Sequence, residues 1–200
     1  MVNDLIVDSH KVLFIHIPKT GGCSIEATLS SLAPLEEAIL LKKSRDGLNF
    51  SINYQHAFPN ELERYSLYRS FCFVRNPWDR IVSGFSHHKR FAEIPTALSF
   101  DKFVELLCRD KPLPLPTNHP GKLFHLPSCS WVRDQMIVGR FETLQEDYDR
   151  ICEQLALPVT KLPLINKGNH RNYRTYYTEK TKLLIGTKYE EDIERFKYLF

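Results

Sequence analysis

The stretch Val12-Leu-Phe-Ile-His-Ile-Pro-Lys-Thr-Gly-Gly-Cys-Ser24 decides how this 200-residue chain folds. Val12, Leu13, Phe14, Ile15 and Ile17 are an apolar run of the kind that forms a strand buried on both faces of a parallel sheet. Pro18 ends ladder pairing, Gly21-Gly22 supplies a turn that glycine makes cheaply, and a helix is expected over 23–32. A strand running through a lysine-bearing glycine turn into a helix aims backbone N–H groups, a helix dipole and an ammonium at one spot. Such a spot suits an anion with several oxygens, such as phosphate or sulfate. The plainer reading is an ordinary turn with a solvated lysine. Against it, Lys19, Thr20, Gly21, Gly22 and Ser24 fall within six residues directly behind the strand. In a Walker A loop the lysine follows the glycines, whereas Lys19 precedes them, so nothing here asks for nucleoside triphosphate hydrolysis.

A second strand, turn and helix are legible in Ser70-Phe-Cys-Phe-Val-Arg-Asn-Pro-Trp-Asp-Arg-Ile-Val-Ser-Gly-Phe85. Asn76 is a good N-cap, and Pro77 stands at the first helical position, where a missing N–H costs nothing. Trp78, Ile81, Val82 and Phe85 share one helix face and are expected to pack on the sheet. Arg75 then lies at the carboxyl end of the strand, with Ser83 about two helical turns on and on another face. A guanidinium and a hydroxyl so held suit a second phosphate. Pairing of Arg75 with Asp79 at the helix start is the alternative.

Ile17-Pro-Lys-Thr-Gly-Gly-Cys-Ser24 resembles the 5′-phosphosulfate loop of sulfotransferases that use 3′-phosphoadenosine 5′-phosphosulfate (PAPS). Phe73-Val-Arg-Asn-Pro-Trp-Asp-Arg-Ile-Val-Ser83 resembles their 3′-phosphate motif, with its serine eight residues after the arginine. Val138-Gly-Arg-Phe-Glu-Thr-Leu-Gln-Glu-Asp147 and Tyr189-Glu-Glu-Asp-Ile-Glu-Arg-Phe-Lys-Tyr198 resemble two later landmarks of the carbohydrate branch. That branch includes Golgi glycan sulfotransferases, heparan sulfate 2-O-sulfotransferase among them, and compact bacterial relatives. The similarity covers roughly residues 11–200. It implies an α/β, P-loop-NTPase-like three-layer fold with a central parallel sheet flanked by helices. It also implies transfer of a sulfuryl group from PAPS to a hydroxyl of a glycan or glycan-like acceptor, leaving 3′-phosphoadenosine 5′-phosphate (PAP), with no metal required.

Carried over residue by residue, the resemblance assigns the phosphosulfate to Pro18, Lys19, Thr20, Gly21, Gly22, Cys23 and Ser24, with Lys19 on the leaving-group side. Arg75 and Ser83 take the 3′-phosphate. Lys167, Gly168 and Arg171, in Asn166-Lys-Gly-Asn-His-Arg-Asn-Tyr173, match loosely a basic loop that closes over the same phosphate. Cys23 departs from the family, which often has threonine there, and removes a hydroxyl donor. His56, in Ile52-Asn-Tyr-Gln-His-Ala-Phe58, follows a short apolar stretch and is placed at a strand's carboxyl end, the edge where open α/β sheets bind ligands. A histidine near its ordinary pKa can take a hydroxyl proton at neutral pH, and members like heparan sulfate 2-O-sulfotransferase use a histidine at a comparable place. His16 reads as structural, and His119, His125 and His170 as weaker candidates. Trp131 or Trp78 is the candidate adenine slot, Trp78 fitting the core better.

Strands are expected over 11–17, 51–55, 70–75 and 136–140, and helices over 23–32, 59–65, 77–91, 99–109, 142–155 and 179–197. This alternation is the pattern of an α/β fold. Lys111-Pro-Leu-Pro-Leu-Pro-Thr-Asn-His-Pro120 admits neither helix nor central strand and reads as an acceptor-binding loop or a plain connection. With 42% apolar and 12% aromatic residues, the chain is expected to form one domain over 1–200. A net charge of +3 fits an anionic substrate but is too small to argue for nucleic acid. His87-His88-Lys89-Arg90 reads equally as a solvated helix end or an acceptor contact. Five cysteines with no metal-ligand spacing read as reduced thiols, and no apolar run near Met1 has signal-peptide or membrane-span length. Both point to a cytoplasmic, bacterial-type enzyme. Two rival readings use the same residues: a P-loop-like kinase or phosphotransferase, opposed by the missing Walker A order, and an inactive nucleotide-binding module, opposed by the retention of Lys19, Arg75, Ser83 and His56.

Overall fold

The computed structural model describes residues 5–7, 11–32, 68–109, 113, 124–165 and 168–200. Its elements are β1 (Leu5–Val7), β2 (Val12–Ile15), α1 (Gly22–Leu32), β3 (Arg69–Val74), α2 (Pro77–Arg90), α3 (Phe100–Cys108), β4 (Ile137–Arg140), α4 (Leu144–Leu155), α5 (Glu179–Lys188) and α6 (Glu190–Phe196), with 3₁₀ turns at Ser128–Ser130, Phe141–Thr143 and Tyr173–Tyr176. The strands lie in the order β1-β2-β3-β4. β2 and β3 run parallel with Phe14 opposite Phe71, and β3 and β4 run parallel with Phe73 opposite Gly139. β1 adds an antiparallel edge on β2 that the sequence analysis did not anticipate. Three residues are too short a pattern to read.

Alternation along the strands sets the layers. Val12, Phe14, Phe71 and Phe73 pack with Ile25 and Leu29 of α1 and with Tyr148, Ile151 and Leu155 of α4. Their neighbours Leu13, Ile15, Cys72 and Val74 pack the other way, with Trp131, Val132 and Phe196 of α6. The parallel sheet is therefore the middle layer of an α/β fold, as expected. Cys72 and Cys152 are buried as small apolar groups, and all five cysteines are free.

Two expectations need correction. Trp78, Ile81, Val82 and Phe85 do not pack on the sheet; they meet Phe100, Phe103 and Val104 of α3 and Ile185 of α5. A periodic stripe says that a helix face is buried, not what buries it. The helix expected over 179–197 is two helices hinged at Tyr189. Tyr189 is buried and donates its hydroxyl to the His125 carbonyl at 2.7 Å. The break lets Asp192 of α6 accept from the Ser128 and Cys129 amides at 2.6 and 2.7 Å. The expected strand 51–55, the helix 59–65 and His56 lie outside the described residues. Among the described residues, no helix is long and apolar enough to cross a membrane.

Candidate active site

Beyond β2 the chain leaves the sheet through Ile17 and Pro18 and curls at two left-handed residues, Lys19 (φ 70°) and Gly21 (φ 87°). Three successive carbonyls are drawn back into the protein. Thr20 Oγ1 donates to the Ile17 carbonyl at 2.8 Å, Arg80 Nε to that of Pro18 at 3.0 Å, and Arg75 Nη1 to that of Lys19 at 3.1 Å. Among the described residues, no side chain accepts from the amides of Thr20, Gly21, Gly22 or Cys23. Carbonyls held behind and amides left open in front are what an anion requires. Gly22 lies on the His16 ring, where a Cβ would come within 2.2 Å of Cδ2, so glycine is needed there for close approach. His16 is buried and bonded through Nδ1 to Glu26 Oε1 at 2.8 Å, the structural part expected of it.

Within this turn the side chains divide. Burial, and after it the charge of Arg75, push the Lys19 ammonium down to about 8. The Thr20 hydroxyl proton is already given to Ile17, so this hydroxyl is not a donor to a ligand. Ser24 Oγ accepts from the Ile165 amide at 3.3 Å and keeps its own proton to give, while Cys23 is exposed.

At the end of β3, Arg75 is 6% exposed. Its Nε and Nη2 lie 2.9 Å from Asp79 Oδ2, and its guanidinium sits 3.8 Å from the centre of the Phe141 ring. The Arg75–Asp79 pair therefore forms, and Nη1 also ties Arg75 to the Lys19 carbonyl behind the turn. Asn76 Oδ1 accepts from the Trp78 and Asp79 amides at 3.1 and 3.4 Å, and the Asn76 amide donates to Glu142 Oε1 at 2.7 Å. The first amides of α2 are thus already satisfied.

A cleft of ≈ 1140 Å³ brings Lys19 of the first turn to the face of α2 that carries Ser83, and is lined among others by Ser86, His87, Arg90 and Tyr176; residues 20–24 and Arg75 are not among its lining residues. Ser83, Ser86, His87 and Arg90 follow helical spacing along one face of α2. Gly168, Asn169 and His170 also line the cleft, with His170 Nε2 4.0 Å from Asp79 Oδ1. Of the basic loop expected there, Arg171 is exposed, with its guanidinium 6.0 Å from the Tyr176 ring centre, and Lys167 lies outside the described residues. Neither tryptophan is an adenine slot: Trp78 and Trp131 are buried in separate apolar clusters, and Trp78 Nε1 donates to the Lys182 carbonyl at 3.0 Å. Phe85, Phe91 and Tyr176 are aromatic residues of the cleft wall that sequence reasoning missed. It also missed Arg80, Phe141 and Glu142, although all three stand inside the quoted motifs. Spacing alone gave no sign of which partner each would meet.

The family described as "Sulfotransferase family" matches residues 3–199. Carbohydrate sulfotransferase 10 of Xenopus laevis is 24% identical over 241 residues, covering 96% of this chain and 66% of that protein. Its Gallus gallus counterpart is 22% identical over 237 residues, covering 96% of this chain and 65% of that protein. The chain thus spans just under two thirds of the length of both. An uncharacterized protein of Archaeoglobus fulgidus is 33% identical over 107 residues, 54% of this chain and 83% of that protein. No solved structure matches.

Proposed function

The chain belongs to the sulfotransferase family, and from that premise we propose that it moves a sulfuryl group from PAPS to a hydroxyl of a carbohydrate acceptor, with residues 1–200 acting as one catalytic domain. The observation that carries this reading is the meeting of the half-buried Lys19 ammonium, at the head of the open amide turn, with Ser83 in a single cleft. At ≈ 1140 Å³ the cleft exceeds the ~300–1000 Å³ of an ordinary small-molecule pocket, which suits a nucleotide and part of an acceptor together.

In the reaction, the bond from sulfur to the phosphate oxygen breaks as one to the acceptor oxygen forms, and the acceptor proton passes to a base. Negative charge grows on the bridging oxygen, and a preorganised cation there stabilises the transition state more than the ground state. Lys19 has that role. The amides from Thr20 to Cys23 and the Ser24 hydroxyl carry the phosphosulfate oxygens, with Pro18 shaping the entry to the turn. Arg75, Ser83 and Gly168, joined by Lys167 and Arg171, receive the 3′-phosphate. His56 is the base, the acceptor is a glycan hydroxyl, and no step calls on a metal.

Radiolabelled PAPS with a panel of glycans tests the whole reading: transfer of label to a carbohydrate is expected. In calorimetry, PAP should bind far more tightly than AMP, and Arg75→Ala should lose about 1.5–3 kcal/mol for each charge-assisted bond removed. His56→Asn should keep PAP affinity and lose turnover, because an amide holds a hydroxyl but takes no proton. No transfer to any glycan together with equal affinity for PAP and AMP would defeat the proposal.

A further inference from the structure

Arg80 of α2 is 1% exposed. Its Nε donates to the Pro18 carbonyl, and its Nη1 donates to the Leu126 carbonyl and to Ser128 Oγ, each at 3.0 Å. Among the described residues, Nη2 meets no acceptor. The turn that receives this guanidinium is itself fixed, because Asp192, also 1% exposed, accepts from the Ser128 and Cys129 amides. A buried cation whose hydrogen bonds go to neutral oxygens contributes little to stability. What it does provide is geometry: three oxygens from two distant segments are held at fixed spacing around one rigid fork.

One of those oxygens belongs to Pro18, directly before the left-handed Lys19. A carbonyl swung toward the cleft would set the negative end of its dipole against an incoming anion and rotate the next amide away. We propose that Arg80 is a positioning residue of the donor loop: by bracing the Pro18 carbonyl against the Leu126–Ser128 turn, it keeps the Lys19 amide of the same peptide, and with it the start of the curl, facing the phosphosulfate, which it does not itself touch. The inference rests on the sulfotransfer reading above. It adds that donor affinity depends on a strut running from α6 through Asp192, Ser128 and Arg80 to the loop.

Melting temperature measured with and without saturating PAP separates this role from a merely structural one, because the ligand-induced rise reports affinity by linkage. Arg80→Lys keeps the charge, but a single nitrogen cannot span both segments. Its PAP-induced rise should shrink, with PAP affinity and PAPS KM worsened by ~10–10²-fold and acceptor KM unmoved. Ser128→Ala removes one brace outside the donor loop and should show the same loss in smaller measure; it carries the test alone should Arg80→Lys fail to fold. Leu107→Ala, a core truncation in α3, should lower both melting temperatures and leave their difference intact. A full PAP-induced rise in Arg80→Lys, or in Ser128→Ala where only that variant folds, overturns the role of Arg80 while leaving the sulfotransfer reading standing. No rise in the wild type overturns that reading, and this inference with it.

Discussion

Two strand-to-helix turns stand side by side in the sheet, and they treat their backbone in opposite ways. Between β2 and α1 the chain spends residues 16–21 on a curled loop, turns its carbonyls inward and leaves the leading amides open. Between β3 and α2 it spends only Arg75 and Asn76, and the Asn76 side chain closes the helix N-terminus at once. Both helices offer the same positive dipole end. The first can give amides to an anion; the second can give only side chains, Arg75 before the cap and Ser83 beyond it. Anion chemistry at a helix start is therefore decided by whether a cap is already in place, not by the helix alone.

The largest expected effect separates the two turns by chemistry. Lys19→Ala should lower turnover by about 10²–10³ under saturating PAPS, the usual loss for one preorganised charge-stabilising donor. PAPS affinity should fall far less, because the bridging oxygen becomes fully anionic only during transfer. Steady-state kinetics beside calorimetry on the same variant read this split. Near-wild-type turnover would reduce Lys19 to a loop residue and remove the functional half of the contrast.

A smaller effect tests the structural half. Asn76→Ala deletes the cap of α2 and the Asn76 Nδ2 bond to the Leu199 carbonyl at 2.8 Å. A lost N-cap costs about 0.5–2 kcal/mol, seen as a lower urea midpoint. PAP affinity should hold within a few-fold, since no amide of that turn faces the ligand. A collapse of PAP affinity without loss of stability would mean that both helix starts bind anions, and the contrast would fail.

How much of this was legible follows from the reach of each interaction. The parallel strands, the Asn76 cap and the cysteine burial rest on local pattern, and they were read within a residue or two. The proximity of Lys19 to Ser83 came only through the resemblance, since nothing local ties residue 19 to residue 83. What stayed hidden is what the long-range bonds decide. Phe141 stacks on Arg75, Glu142 takes the Asn76 amide, and Asp192 sets the turn that meets Arg80. The landmarks Val138–Asp147 and Tyr189–Tyr198 read only as family confirmation in the sequence. In the fold they buttress the two strand-to-helix turns, with Tyr198 donating its hydroxyl to Glu142 at 3.1 Å.

The subtlest effect lies in protons, and it sets the open turn apart from the closed one. Burial, then the charge of Arg75, holds Lys19 at about 8 against an ordinary 10.5. Below about pH 8 the group is charged in the folded and unfolded chain alike. Between about 8 and 10.5 the unfolded lysine holds a proton that the folded one has shed, so the contribution of this group to stability rises with pH across that window. A bound polyanion favours the ammonium and reverses the balance, so PAP binding above about pH 8 should take up a proton and weaken as pH rises. Calorimetry near pH 9, in two buffers of different ionisation enthalpy, should show uptake approaching one proton, falling toward zero near pH 7.5. Lys19→Met should abolish the uptake, whereas Asn76→Ala should keep it, because the Asn76 side chain carries no ionisable group. A wild-type protein that binds PAP near pH 9 with no proton uptake would mean that the anion does not meet the Lys19 ammonium.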